Sequence, residues 1–211
     1  MRTAIALLVL AASWPAAAAA TESPPHSAVP AVGVLVADQG PFDARPVPWW
    51  VPGKGSASPT RAGDSAVAAA LGDGSMRLLD ASPKAGRIAA LGVSGAPLSP
   101  ERARELARLL GADVVVHGTA VAADEEDSGD VLEQASGMKG SSTGRPCTVA
   151  VTLRAYRADT GQVLAEARTS ARSTAFRAAD CTRTAAAKAA QAIAPEFRER
   201  ILAYWLARSR S

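Results

Sequence analysis

Residues 107–120 read ARLLGADVVVHGTA: a helix end, a tight turn and a buried strand in close succession. Gly111 stands where a helix closes in the left-handed conformation that glycine adopts without a Cβ penalty. Val114-Val115-Val116 then continues through His117-Gly118-Thr119-Ala120-Val121, apolar on nearly every side chain. An alternating pattern would mark a strand with one wet face; apolar residues on both faces mark the middle of a sheet. A helix that hands over to such a strand within a few residues is the grammar of an α/β fold.

The helix before the turn is bounded by Ser99 as N-cap, Pro100 at its first position and Glu101 near its positive end. Ala103, Leu106, Ala107 and Leu110 recur at three and four residues and face the core. Further upstream, Ala31–Ala37 (AVGVLVA) is a short Val-rich run bounded by Asp38, Gly40 and Pro41, which predicts a buried first strand. A long loop follows to about Thr60, punctuated by Pro41, Pro46, Pro48, Pro52 and Pro59; loops of that length are usually functional or disordered. Ala62–Leu71 reads as a helix with Val67, Ala70 and Leu71 inward, closed by a left-handed Gly72, and Ser75–Asp80 (SMRLLD) as a second strand.

Downstream, residues 124–144 form a second loop, acidic at Asp124, Glu125, Glu126, Asp127 and Asp130 and then rich in Gly and Ser. Val149, Val151, Leu153 and Ala155 alternate with Thr148, Ala150, Thr152 and Arg154, and the pattern resumes after Asp159-Thr160-Gly161 with Val163, Ala165 and Ala167. This is a hairpin with one buried face and a left-handed Gly161 in its turn. From about Thr182 to Arg208 a stripe of Ala186, Ala190, Ile193, Phe197, Ile201, Tyr204 and Trp205 crosses Pro195 without losing phase, which predicts a kinked helix or two helices sharing an axis. The element order is β-α-β-α-β-β-β-α: three strands joined by crossovers, extended by an antiparallel hairpin, in a mixed sheet of about five strands with helices packed on it. Residues 31–208 are expected to form a single α/β domain.

Residues 1–20 have the form of a signal peptide, with Arg2, an apolar stretch from Ala4 to Ala12 and a small-residue site at Ala18-Ala19-Ala20. Ser13, Trp14 and Pro15 interrupt the run short of the roughly 20 residues that span a bilayer. Residues 21–30, TESPPHSAVP, make a polar, Pro-rich leader expected to be extended. The domain is therefore expected in the periplasm or outside the cell. No Cys lies near the cleavage site, so no lipid anchor is expected.

The 211 residues carry 23 basic and 20 acidic side chains, a near balance without a basic stripe interleaved with aromatics, which argues against nucleic acid as a ligand. Cys147 and Cys181 are the only cysteines, and in an oxidising compartment two thiols are more often a structural bridge than a metal site. They sit at the start and just past the end of the hairpin, so the returning chain brings them together, stapling the last helix to the sheet. His26 and His117 stand at ligand spacing from no Cys or His, so neither a metal nor another cofactor is expected.

The stretches ARLLGADVVVHGTA (107–120) and VTLRAYRADTGQVLA (151–165) resemble a group of bacterial envelope domains. These are the amino-terminal part of the Tol-system translocation protein, flagellar assembly protein T, and the curli-secretion and penicillin-binding-protein-activator lipoproteins. In that group a helix ends in a Gly-Ala-Asp turn, a buried strand ends in Gly, and a hairpin turns at an Asp-x-x-Thr-Gly-like sequence before the terminal helix. The resemblance implies a non-enzymatic protein that docks on envelope or appendage proteins. The lipid anchor of its relatives does not carry over.

Two other readings use particular residues. Gly63-Asp64-Ser65 has the look of a serine-hydrolase motif, but it lies near the start of a helix and no His follows His117. Trp49-Trp50, between Val47-Pro48 and Val51-Pro52, sits in an extended segment where neighbouring side chains point opposite ways; the rings either fill a gap in the core or anchor a protein, a glycan or peptidoglycan. The run from Asp124 to Asp130 lacks the alternating oxygen ligands of a calcium loop and reads as a solvated acidic loop.

Overall fold

Apolar strands of Val and Ala meet amphipathic helices in two layers around one sheet. A computed structural model describes residues 28–39, 62–124 and 144–210. Its elements are β1 (Ala31–Gln39), α1 (Ala62–Leu71), β2 (Arg77–Leu79), a 3-10 turn at Ser82–Lys84, α2 (Ala85–Ala90), α3 (Pro100–Leu110), β3 (Val114–Asp124), β4 (Arg145–Arg157), β5 (Val163–Ala175) and α4 (Ala178–Ser209). The strand order is β2-β1-β3-β4-β5. β1 pairs in parallel with both β2 and β3, whereas β3–β4 and β4–β5 are antiparallel, so the sheet is mixed and β3 occupies its centre.

The chain moves one way from β1 to β2 and then back across β1 to β3. Right-handed crossovers with that reversal place their helices on opposite faces. One core is built from Val32, Val34, Val36, Val114, Val116, Val149, Val151 and Leu153 beneath Val67 and Leu71 of α1 and Ile193, Phe197 and Ile201 of α4. The other gathers Leu35, Ala37 and Val115 beneath Ile88 of α2, Val93, and Leu106, Ala107 and Leu110 of α3. This second layer extends past β3 only as far as Tyr156 of β4, which lies opposite Val115 and is buried. Beyond it the outward side chains of β4 and β5 are half-buried or exposed (Thr148, Thr152, Arg154, Glu166, Arg168, Ser170, Arg172), as expected for an antiparallel pair with one wet face.

Several boundaries follow from local hydrogen bonding. Ser99 Oγ accepts from the Arg102 N–H at 3.3 Å, and Gly111 closes α3 with φ of 72°. Gly72, by contrast, is not left-handed: its N–H still bonds the Ala68 carbonyl at 3.0 Å, and the positive φ of 88° falls on Gly74, inside a turn where Asp73 Oδ1 accepts from the Ser75 N–H and hydroxyl. That turn, with the Asp80 carboxylate accepting from the Ser82 N–H, trims β2 to Arg77–Leu79. α4 is one helix from Ala178 to Ser209, begun a turn earlier than its stripe suggests, with Pro195 on its exposed side, where a carbonyl that loses its N–H partner to proline costs least. The hairpin turn holds Gly161 at φ of 72°, and a register shift between Ala155 and Tyr156 leaves Val163 half exposed instead of inward.

Candidate interaction surface

β1 and β3 run in parallel, so both deliver the chain to the same end of the sheet, where Gln39 lies opposite Val121 and Asp124 opposite Cys147. The stretch after Gln39 leaves from this end and the chain returns at α1; the stretch after Asp124 leaves there too and returns at β4. Both re-entry points are fastened. Asp38 Oδ1 accepts from the Gly63 N–H at 3.0 Å, and Asp64 Oδ1 accepts from the Val36 N–H at 3.4 Å. A Cβ on Gly63 would stand 2.4 Å from both the Ala120 Cβ and Asp38 Oδ1, so this helix start rests directly on the sheet. Cys147 is disulfide-bonded to Cys181, with Cα atoms 6.1 Å apart, which joins the start of β4 to the first turn of α4. Beside that bridge Phe176 is 77% exposed, with Arg172 and Arg177 exposed around it. Nothing in the periodicity marks Phe176 as outward; only its place between a strand end and a helix start hints at it. Trp49, Trp50 and the acidic residues 125–130 lie outside the described residues.

The same sheet separates the residues a hydrolase would have to combine. Ser65 is exposed on α1, on the side of the first core, while His117 is buried on the opposite side, in line with Val115. Burial lowers the His117 pKa to about 4; a hydrogen bond with the Ser94 backbone acts to raise it and the Arg154 charge to lower it further. The imidazole is neutral and serves as packing beneath the 91–99 connection. That connection is tied down a second time where Tyr156 Oη accepts from the Leu98 N–H at 3.0 Å.

At the far end of the sheet, polar contacts are structural. Burial opposes ionisation of Asp159, but two bonds from the Arg157 guanidinium (3.2 and 3.1 Å) and the Thr160 N–H at 2.7 Å outweigh it and hold its pKa at about 2. The Arg157 guanidinium lies 4.9 Å from the centre of the Tyr204 ring, which connects the hairpin turn to α4. Among the described residues no three His, Cys, Asp or Glu side chains gather as metal ligands, and no helix is long and apolar enough to cross a membrane. Among the described residues there is a depression of about 240 Å³ beside Asp64, Asp80 and Ser82, and another of about 290 Å³ between α2 and α3.

Residues 88–189 match the family model described as curli production assembly/transport component CsgG. The span runs from α2 into α4, takes in all of β3, β4 and β5, and includes both stretches whose wording resembles the envelope group; over it the chain is similar to that group. Among solved structures, the hypothetical protein CT253 from Chlamydia trachomatis is 16% identical, with 83% of this chain and 99% of that one covered and a TM-score of 0.46. Lipoprotein GNA1162 from Neisseria meningitidis is 16% identical over 71% of this chain and 86% of that one, with a TM-score of 0.39. The LpoB C-terminal domain from Salmonella enterica is 13% identical over 70% and 86%, with a TM-score of 0.37. No protein of curated function matches the chain in sequence.

Proposed function

We propose that this chain is a non-enzymatic interaction or assembly module of the bacterial cell envelope, exported by residues 1–20 and docking on envelope or appendage proteins. The match of residues 88–189 to a curli assembly and transport component carries this reading. The disulfide supports it, because such bonds persist in oxidising compartments. So does the placement of Ser65 and His117 on opposite faces of the sheet: a serine hydroxyl without a base in reach is a weak nucleophile.

Two measurements test the reading together. Mass spectrometry of the chain recovered from its cells is expected to find a mature amino terminus at Thr21, and affinity capture from crosslinked envelopes is expected to retain envelope proteins. A cytoplasmic, unprocessed chain, or labelling of Ser65 by a fluorophosphonate probe, overturns it.

A further inference from the structure

α3 is strongly amphipathic, and its outward face settles most of its own charge. The Arg102 guanidinium lies 3.2 Å from the Glu105 carboxylate and Arg104 lies 3.8 Å from Glu101, so both acidic residues of the helix are engaged by its own arginines. Arg108, in the last turn, is left over. Across the depression stands Arg87 of α2, and among the described residues neither guanidinium has an ion-pair partner. The depression between them, about 290 Å³, is lined by Arg87, Leu91, Glu105, Arg108 and Leu109. Leu91 and Leu109 are half-buried and belong to the outer skin of the second core. Lys84, at the same end, is already spent on the Leu110 carbonyl at 2.9 Å.

We infer that this groove is the docking site for a partner-protein segment in which an acidic residue flanks an apolar one. The chemistry of the lining selects that occupant. Two half-buried leucines give an apolar side chain a surface to cover, and two unpaired guanidiniums on opposite walls offer planar, bidentate sites for a carboxylate. A free anion finds no use for the leucines, and an uncharged apolar segment leaves both arginines facing desolvation without a partner. A second copy of this chain related by a two-fold axis would set arginine against arginine, a like-charge juxtaposition that disfavours self-association through this face. The volume lies at the lower edge of the roughly 300–1,000 Å³ of small-molecule clefts and suits one or two side chains of a docked peptide. This inference rests on the proposed envelope-docking role and assigns it a surface and a partner chemistry.

The test places the photocrosslinking residue p-benzoylphenylalanine at position 109 of the full chain, irradiates intact cells and maps the attached peptide by mass spectrometry. The expected result is a crosslink to a protein segment with Asp or Glu beside an apolar residue. Its yield should fall about tenfold in the Arg87→Glu, Arg108→Glu double variant and by less in the Arg87→Lys, Arg108→Lys pair, which keeps the charge but loses the bidentate fork. Arg168→Glu, an exposed charge reversal on the wet face of β5, should leave it unchanged. Attachment to glycan, to lipid or to a segment without acidic residues, no attachment, or a yield indifferent to the double reversal overturns the groove assignment. If the groove fails while affinity capture with the unaltered chain still retains envelope proteins, the docking role stands and only its location is wrong; if capture also fails, the role itself fails. Both arginines are exposed, and circular dichroism melting within a few degrees of the unaltered chain verifies that the variants fold.

Discussion

The Asp38 carboxylate, on the outgoing end of β1, accepts the backbone N–H of Gly63, on the incoming end of α1, at 3.0 Å. One side chain thus ties the end of β1 to the start of α1, with no room to spare on the helix side. A methyl at position 63 would fall 2.4 Å from the Ala120 Cβ on β3. Gly63→Ala is therefore expected to push α1 off the sheet and destabilise by about 1–3 kcal/mol, the range for overpacking. For a chain of this size that corresponds to a drop in Tm of several degrees. Ser65→Ala, two residues on and exposed, should stay within about 0.5 kcal/mol. Thermal denaturation followed by circular dichroism compares them; equal melting of the two variants contradicts the packing described.

The bridge from Cys147 to Cys181 closes a loop of 34 residues around the hairpin. On the chain-entropy account its loss removes roughly 3–4 kcal/mol. Urea unfolding with and without a reductant is expected to show a clear fall in the midpoint, matched by the Cys147→Ala, Cys181→Ala double variant without reductant. A midpoint insensitive to both treatments would mean that the terminal helix is held to the sheet by its apolar stripe alone.

Gly111 and Gly161 share a left-handed φ of 72° but differ in surroundings. A Cβ on Gly111 meets nothing within 4 Å, whereas one on Gly161 would lie 1.9 Å from the Pro100 carbonyl oxygen, because the hairpin turn abuts the start of α3. Gly111→Ala should cost about 1–2 kcal/mol, the backbone penalty alone. Gly161→Ala should exceed it by a further 1–3 kcal/mol as the turn and the helix are forced apart. Equal losses in chemical denaturation would refute the contact between turn and helix.

Sequence pattern and structure agree where burial on both sides of an element dictates residue type. The doubly apolar β3 and the unbroken stripe of α4 were legible for that reason, as were Ser99 and Gly111, whose roles depend on two or three neighbours only. Where a short element is set by side-chain competition for the backbone, pattern fails. Asp73 and Asp80 trim β2 from both ends, and Gly72 yields its left-handed role to Gly74. α2 was illegible because six residues with one buried side chain, Ile88, make no periodic signal. The groove between α2 and α3 went unread with it. Phe176 escaped for the opposite reason: a large apolar residue is inward by default, and only the three-dimensional corner between β5 and α4 turns it out.

His117 links the second layer to the pH dependence of stability. Its imidazole is 1% exposed and burial lowers its pKa to about 4, against roughly 6.5 in an unfolded chain. Between those values the unfolded state binds more protons than the folded one, so stability rises with pH across that interval. The contribution is fully present above about pH 6.5 and is lost as pH falls to about 4, amounting to roughly 3 kcal/mol. The carboxylates act in a lower window: Asp159, held at about 2 in the fold, contributes above the ordinary carboxylate range and loses its contribution only as pH falls through it. Urea midpoints measured from pH 7 down to 4 should therefore decline in the native protein, and His117→Asn should flatten that decline whatever its effect at pH 7. His26 is common to both chains and cancels in the comparison. An unchanged slope in the variant would show that the imidazole is not what the 91–99 connection keeps neutral.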